Sequence, residues 1–297
     1  DGNRREFQTG RYRADAQTDC VIEYLRQRRS DMPFFLFISY IEPHHQNDHR
    51  HFEGPAGSRE RFADFVVPGD LEGTAGNWRA EYPDYLGCIN SLDQNLGRIR
   101  EELERTGLAD STLLIYTSDH GSHFCTRNAE YKRSCHEGCI RIPFVLNGPG
   151  FRGGTAPGEL ASLIDLPPTI LTAAGTTPPA CMHGHPLQGP VAGRANDWPR
   201  EVFLQISESQ CGRAIRTARW KYSVRAPGAA GNTPASDTYV EDFLYDLDRD
   251  PHERVNLVAD PILSEVRREL SVILRRRMAE AGEASPVILP ANAASAS

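Results

Sequence analysis

Apolar residues recur at helical spacing along one long segment of the chain. Between Asn77 and Leu108 they lie three or four positions apart, and most charged residues fall on the opposite face. Gly107 is suited to ending a helix there. The pattern predicts an amphipathic helix over this segment. The same periodicity predicts three more helices, over residues 15–30, from Ser162 or Asp165 to Ala174, and over 261–281.

Short apolar runs between these helices are typical of strands. The run 34–40 follows Pro33 and is almost entirely aromatic or aliphatic, as a strand buried on both faces should be. Two further runs lie at 112–118 and 142–146. This alternation of strands and helices predicts an α/β fold with a doubly wound sheet. Four strand-like runs then follow at 202–206, 213–218, 219–224 and 240–245, which predict a small antiparallel sheet packed with the last helix.

A change in composition divides the chain near residue 178, because Pro, Gly and Ala dominate residues 178–200. We therefore expect an α/β domain over 1–180 and a small α+β subdomain over 181–282. Residues 283–297 are rich in Ala, Ser and Pro and are predicted to form a flexible tail. Residues 44–78 lack periodicity, which predicts a long loop of the kind that often carries function.

Composition narrows the class of protein. Apolar residues make up 39% of the 297 positions and charged residues 25%, a balance typical of globular domains. The net charge of −7 disfavours a nucleic-acid partner, and no apolar run is long enough to predict a membrane-spanning helix. Seven cysteines without a C-x-x-C pair favour a reducing compartment such as the cytoplasm, while a periplasmic or secreted location stays open. The oligomeric state is not indicated.

The first candidate for chemistry is the point where the run 112–118 ends in Asp119, His120 and Gly121. In open α/β sheets, ligands bind at the carboxyl ends of the strands. A carboxylate and an imidazole side by side supply about half of a divalent-metal site. The sequence therefore predicts Asp119 and His120 as metal ligands, with Gly121 allowing the chain to turn away.

Other polar side chains are candidates for the same edge of the sheet. His44 and His45 follow the run 34–40, but adjacent side chains of an extended chain point apart, so only one can face a ligand. Lys132 lies in a polar loop, and His136 is followed by Glu137, which could orient a neighbour. Together a metal-binding acid, imidazoles and an ammonium predict a pocket for a tetrahedral oxyanion. The sequence has no P-loop and no G-x-S-x-G motif.

These segments resemble those of the sulfatases, the formylglycine-dependent hydrolases of the alkaline-phosphatase superfamily. Thr-Ser-Asp-His-Gly at 117–121 resembles the metal-binding turn of that family. Lys132, followed by Arg141 and Pro143, resembles its Lys…Arg-x-Pro block, and residues 37–44 resemble the strand whose following His contacts the sulfate ester. Further similar segments lie at 162–169, 214–222 and 244–257.

The resemblance implies an alkaline-phosphatase-like sheet and the hydrolysis of sulfuric esters. Asp119 and His120 would bind a divalent cation, most often Ca²⁺ in this family, with Mg²⁺ or Mn²⁺ as alternatives. Lys132 and His44 would be the catalytic residues that hold the sulfate. His45 is the alternative to His44, and His136 occupies a substrate-binding position where relatives often carry Tyr. The partner would be a small-molecule or sugar sulfate ester.

The chain departs from the family at the nucleophile. Sulfatases use a formylglycine made from Cys or Ser in a C/S-x-P-x-R motif, and none of the Cys or Ser residues here begins one. The paired N-terminal acids of the metal shell are also absent. Because the first residue is Asp1 rather than Met, we expect the C-terminal portion of a longer sulfatase. Its sheet would be incomplete at the N-terminus, and the chain alone would be inactive.

Two alternatives to a sulfatase stay open. Sulfate and phosphate esters are nearly isosteric, so a phosphoesterase or phosphonate monoester hydrolase of the same superfamily would use similar residues. The other alternative is a catalytically inactive sulfatase-like remnant that acts as a binding module.

Overall fold

The computed structural model describes residues 10–29, 32–151 and 153–291, which divide into two compact units. The first unit runs to Pro68 and includes Ala75–Leu114, whereas the second contains Gly69–Thr74 and the chain from Ile115 onward. The domain boundary expected at residue 180 stays a prediction. None of the helices in the described ranges is long and apolar enough to cross a membrane.

Two long helices form the core of the first unit. Helix α1 spans Arg13–Gln27, the short α2 spans Ser58–Arg61, and α3 spans Trp78–Arg105. The apolar stripes of α1 and α3 face each other, as their periodicity predicts. Their buried contact consists of Val21, Leu25, Ile99 and Leu103. Beside it, the buried Asn95 amide donates to the Asp15 carboxylate at 2.8 Å.

The apolar run 34–40 is not a strand, so the prediction of a strand buried on both faces is wrong. Phe34 and Ile38 pack on the contact between α1 and α3. Phe35 and Phe37, by contrast, are 70% and 78% exposed. A strand needs a neighbour to pair its backbone groups, and no residue in the described part of the chain pairs with this run.

Two of the predicted strands and one predicted helix of the α/β pattern are present after α3. Strand β1 (Leu114–Thr117) pairs with β2 (Phe144–Asn147), close to the predicted runs. Between them lies the one-turn helix α4 (Glu137–Ile140). Helix α5 (Leu166–Ala173) follows a 3₁₀ turn at Leu163–Asp165, in which Ser162 and Asp165 form a capping box.

A five-stranded sheet and a long helix complete the second unit. After the one-turn helix α6 (Gln188–Val191), the strands are β3 (Glu201–Ile206), β4 (Gly212–Thr217), β5 (Trp220–Arg225), β6 (Thr238–Asp246) and β7 (Val287–Leu289). They lie in sequence order, with β3 to β6 antiparallel and β7 parallel to β6. Helix α7 spans Ser264–Glu280 after a 3₁₀ turn at Pro261–Leu263. The predicted α/β architecture with a small antiparallel sheet and helix is confirmed.

Strand β7 lies in the segment predicted as a flexible tail. For residues 287–289 that prediction is wrong, because their backbone adds to the edge of β6. Residues 292–297 of the predicted tail lie outside the described residues. The sheet packs against α7 around a core of fully buried side chains, which include Ile215, Tyr222, Leu244, Leu274 and Met278.

We expect Leu274→Ala to lower the free energy of unfolding by about 2–5 kcal/mol, because it leaves a cavity in this core. Leu274 is 0% exposed, whereas Val272 on the same helix is 52% exposed. Val272→Ala is the matched control and should change stability by less than about 0.5 kcal/mol. Urea unfolding measures the stability of both variants, and an equal loss of stability in the two would contradict the described packing of α7.

Candidate active site at the end of strand β1

The residues that follow β1 form a tight hydrogen-bonded turn. The Asp119 carboxylate accepts a hydrogen bond from the His120 amide at 2.9 Å. The Ser118 hydroxyl donates to the His120 carbonyl at 2.9 Å, and the Thr117 hydroxyl donates to the Pro143 carbonyl at 2.9 Å. The turn is thereby fixed to both strands of the small β1–β2 sheet.

The structure brings together Asp119, His120 and Lys132, the three groups that the sequence places at this edge. Lys132 Nζ lies 2.9 Å from His120 Nε2, and Asp119 Oδ2 lies 3.4 Å from the same nitrogen. His120 Nδ1 is 2.9 Å from the Gly121 carbonyl, so it carries the proton and leaves the Nε2 lone pair to face Lys132. The Asp119 side chain is 83% exposed and is open to a ligand.

Glycine at position 121 allows the loop that carries Lys132 to return to this turn. The Gly121 amide donates to the Cys139 carbonyl at 2.7 Å. A Cβ on Gly121 would lie 2.2 Å from the Gly138 carbonyl oxygen, so the backbones can approach this closely only with glycine at position 121. The buried His123 also contacts the loop, because its Nε2 lies 3.2 Å from the Lys132 carbonyl.

His136 is buried within the second unit and is 3% exposed. Its Nε2 lies 3.1 Å from the Tyr245 hydroxyl, and its Nδ1 lies 3.2 Å from the Ser134 hydroxyl. Burial, reinforced by the positive charges of Arg127 and Lys221, lowers the pKa of His136 to about 2. The imidazole is therefore neutral at physiological pH. Its predicted contact with substrate stays a prediction.

A buried ion cluster holds the residue next to His136. We call Lys221, Glu137, Glu253 and Arg216 the Lys221 cluster. Lys221 is 0% exposed, and its Nζ lies 2.6 Å from a carboxylate oxygen of Glu137 and 2.6 Å from one of Glu253. The second oxygen of Glu253 accepts from the Glu137 amide at 2.7 Å, and Arg216 Nε lies 3.7 Å from Glu137.

The two carboxylates of the Lys221 cluster respond differently to their surroundings. Burial raises the pKa of Glu253, and the attraction of Lys221 offsets this only in part. Burial also acts to raise the pKa of Glu137, but Lys221 and Arg216 outweigh it and hold that pKa below its usual value. Glu137 is thus the more firmly ionised partner of the buried ammonium.

The five-stranded sheet supports the loop through two adjacent cross-strand residues. Lys221 on β5 lies opposite Tyr245 on β6, and these two side chains contact Glu137 and His136. Lys221 and Glu253 lie in segments that resemble sulfatases, but nothing in the sequence indicates a role for either residue. The composition of β5 does not single out Lys221, since the strand also contains Ser223 and Arg225.

His44 and His45 lie in the first unit, so their predicted approach to Lys132 stays a prediction. The His44 amide donates to the Ile41 carbonyl at 2.7 Å, and the Gln46 side chain donates to the His44 carbonyl at 2.9 Å. His44 Nδ1 lies 2.5 Å from the His45 carbonyl. The ring of His45 packs edge-on against Phe52, with their centroids 5.3 Å apart.

Asp119 and His120 fit part of a divalent-metal shell. With 3.4 Å between Asp119 Oδ2 and His120 Nε2, one cation can contact both atoms. Among the residues that the structure describes, no third carboxylate, imidazole or thiol joins this pair. The pair would therefore supply two of the roughly six to eight ligands that Ca²⁺ takes.

Two family models match the chain. Residues 2–176 match the model described as "Sulfatase", and residues 130–280 match "N-sulphoglucosamine sulphohydrolase, C-terminal". Arylsulfatase K of Mus musculus is 27% identical over 88% of this chain and 52% of its own length. The multifunctional alkaline phosphatase superfamily protein PehA of Trinickia caryophylli is 27% identical over 85% of this chain and 56% of its own. The chain thus spans about half the length of these two relatives.

Solved structures share the fold. The yidJ protein of Bacteroides fragilis superposes with a TM-score of 0.76 at 23% identity, covering 93% of this chain and 60% of its own. BT4656, solved with its substrate D-glucosamine-2-N,6-O-disulfate, superposes with a TM-score of 0.69 at 20% identity, covering 93% of this chain and 71% of its own. The expected alkaline-phosphatase-like α/β fold is confirmed.

We expect the buried His136 to make the protein less stable in mild acid. The unfolded chain binds a proton at His136 near pH 6.5, whereas the folded chain does so only near pH 2, so stability is lost as pH falls below about 6.5. Between about pH 7.5 and pH 5, the free energy of unfolding should fall by about 2 kcal/mol because of this histidine. His136→Gln should remove that part of the pH dependence, as measured by urea unfolding at both pH values. An unchanged difference between the two pH values would contradict a neutral, buried His136.

We expect Lys221→Met to lower the free energy of unfolding by about 3–5 kcal/mol, because it leaves the buried Glu253 carboxylate without a counter-charge and Glu137 with only the more distant Arg216. The control is the triple variant Lys221→Met, Glu137→Gln, Glu253→Gln, which removes all three charges. It should recover most of the loss in urea unfolding. If the triple variant were as unstable as the single one, the cost would come from packing rather than from charge.

Proposed function

Because the chain belongs to the sulfatase family, we propose that the protein containing it hydrolyses sulfate monoesters with the help of a divalent cation. The observation that carries the proposal is the contact of Lys132 and Asp119 with one imidazole nitrogen of His120, at 2.9 and 3.4 Å. A cation-binding acid and imidazole beside an ammonium suit an ester with a tetrahedral anionic head.

Asp119 and His120 are the residues that would hold the cation, for which we propose Ca²⁺, with Mg²⁺ or Mn²⁺ as alternatives. When bound, the cation supplies positive charge that stabilises the nucleophile and the sulfate oxygens. Lys132 carries three N–H donors and would bind the equatorial oxygens of the sulfate. We further propose that the nucleophile is a formylglycine in a segment that precedes this chain.

His44 is the proposed proton donor to the departing alcohol. Its Nδ1 faces the His45 carbonyl at 2.5 Å, so Nε2 is the nitrogen that would exchange a proton with the substrate. The edge-on packing of His45 against Phe52 favours His44 over His45 for this role. For His136, burial favours a role in positioning the loop of Lys132 over direct contact with the ester.

The proposed substrate is a small-molecule sulfate ester, with sugar sulfates as the class to test first. The similar fold of BT4656, solved with a sulfated glucosamine, supports this choice. A phosphoesterase is the second candidate. PehA, a relative named as multifunctional, favours including it, because Lys132 and a cation would stabilise phosphate as well as sulfate. The contact among Asp119, His120 and Lys132 argues against the inactive remnant.

Assays of the full-length protein with paired aryl sulfate and aryl phosphate esters test the proposal. We expect a higher kcat/KM for the sulfate and loss of activity when a chelator removes the cation. Equal or faster turnover of the phosphate would favour the phosphoesterase instead. No turnover of either ester by protein that carries formylglycine would favour the remnant.

In the same assay, Lys132→Ala should lower kcat/KM for the sulfate by roughly 10²–10³-fold, the loss typical of one donor to a developing oxyanion. Its melting temperature should stay close to that of the parent, because the loop is held by backbone contacts of Gly121 and His123. Arg100→Ala, which removes one charge from an exposed position of α3, is the control and should leave kcat/KM unchanged. A large loss of stability with normal turnover would make Lys132 structural.

A further inference from the structure

A tight hairpin in the first unit places two histidines and a glutamate on one side of the chain. Gln46 and His51 pair as an isolated antiparallel bridge, with the Gln46 amide donating to the His51 carbonyl at 2.9 Å. Arg50 closes the turn with a positive φ of 60° and donates from its amide to the Gln46 carbonyl at 2.7 Å. His49 lies within this turn, and the chain leaves the turn through His51 toward Glu53.

The potential ligand atoms of these three residues converge. One atom from each lies within 4.8 Å of the other two. His49 Nδ1 contacts Glu53 Oε1 directly, and His51 Nε2 lies 3.9 Å from the same oxygen. The imidazole rings are stacked, with centroids 6.1 Å apart and planes inclined by 28°. The His49 side chain is 62% exposed, so a cation can enter from solvent.

The hydrogen bonding of His51 prepares one nitrogen for a metal. His51 Nδ1 lies 2.8 Å from the Phe52 carbonyl, so Nδ1 carries the proton and Nε2 presents its lone pair toward Glu53. A backbone carbonyl that accepts from the second ring nitrogen is the usual support of a metal-bound histidine. The tautomer that a metal ligand requires is therefore already fixed.

The backbone beneath the three side chains is anchored to the core of the first unit. Phe52, between His51 and Glu53, is 1% exposed and its amide donates to the Glu81 carboxylate at 2.7 Å. The Glu53 carbonyl accepts from the Tyr12 hydroxyl at 2.8 Å and from the Cys88 thiol at 3.2 Å. Anchoring of this kind reduces the ordering cost of binding.

We propose that His49, His51 and Glu53 bind one Zn²⁺-class transition-metal cation. Two imidazoles and a carboxylate form a ligand set that suits Zn²⁺, with a fourth position left for water, whereas Ca²⁺ prefers an all-oxygen shell. This site is separate in residues and in chemistry from the pair Asp119 and His120. The bound cation would stiffen the hairpin that begins at Gln46, whose side chain holds the His44 carbonyl at 2.9 Å.

Zinc binding to the full-length protein tests this site without any measurement of activity. Calorimetric titration is done with Ca²⁺ saturating, and Co²⁺ is used as a spectroscopic substitute that reports four-coordinate nitrogen and oxygen ligation. We expect one equivalent of Zn²⁺ whose affinity falls by more than about 100-fold in His51→Ala and in Glu53→Gln, beyond the roughly 10- to 100-fold that loss of a supporting contact costs. The Co²⁺ spectrum of these variants should lose its four-coordinate bands.

Two control variants each remove an exposed residue outside the proposed zinc site. His183→Ala removes an exposed histidine of the second unit, and Glu60→Gln removes an exposed glutamate of α2. Neither should change the Zn²⁺ affinity. His49→Ala provides a further test variant, since its side chain is largely exposed and its loss should leave the melting temperature of the metal-free protein unchanged. Zn²⁺ affinity that is the same in parent and variants, or the absence of a stoichiometric binding event, would overturn the proposal and leave His49 and Glu53 as a simple hydrogen-bonded pair.

Discussion

The buried ammonium of Lys221 is the constraint on which the candidate active site depends. A charge removed from water must be matched by an opposite charge at close range, or the folded state loses several kcal/mol. Glu137 and Glu253 provide that match, each with a carboxylate oxygen 2.6 Å from Lys221 Nζ. Because Glu137 begins α4, the requirement that Lys221 be neutralised also fixes where the chain between Lys132 and β2 must lie.

Support and chemistry are therefore assigned to different residues of the second unit. The buried His136 and the half-buried Glu137 hold the loop to the sheet, and the close approach of Gly121 and Gly138 joins the loop to the turn after β1. Among the reactive groups that extend from this support, the Asp119 side chain is 83% exposed, whereas the His120 side chain is 29% exposed. A ligand can therefore reach Asp119 without a rearrangement of the core.

Features that depend on local pattern could be predicted from the sequence, and features that depend on distant pairing could not. Helices α1, α3, α5 and α7 follow from apolar periodicity. The run 34–40 has the composition of a strand but no strand partner in the described ranges, and β7 depends on an edge contact with β6 more than forty residues away.

The grouping of Asp119, His120 and Lys132 could be predicted because strand ends and family motifs mark it. Lys221 could not, because its two carboxylates come from separate segments. The approach of His49 to His51 likewise depends on the turn that the bridge between Gln46 and His51 closes.

The most direct test of the central claim is a crystal structure of the full-length protein with Ca²⁺ and a bound sulfate ester. Our account predicts the cation on Asp119 Oδ and His120 Nε2, at roughly 2.3–2.6 Å from the carboxylate oxygen. Lys132 Nζ should have moved from His120 to a sulfate oxygen, while Glu137 stays paired with Lys221. A cation bound elsewhere, or a sulfate ester that does not contact Lys132, would contradict the account.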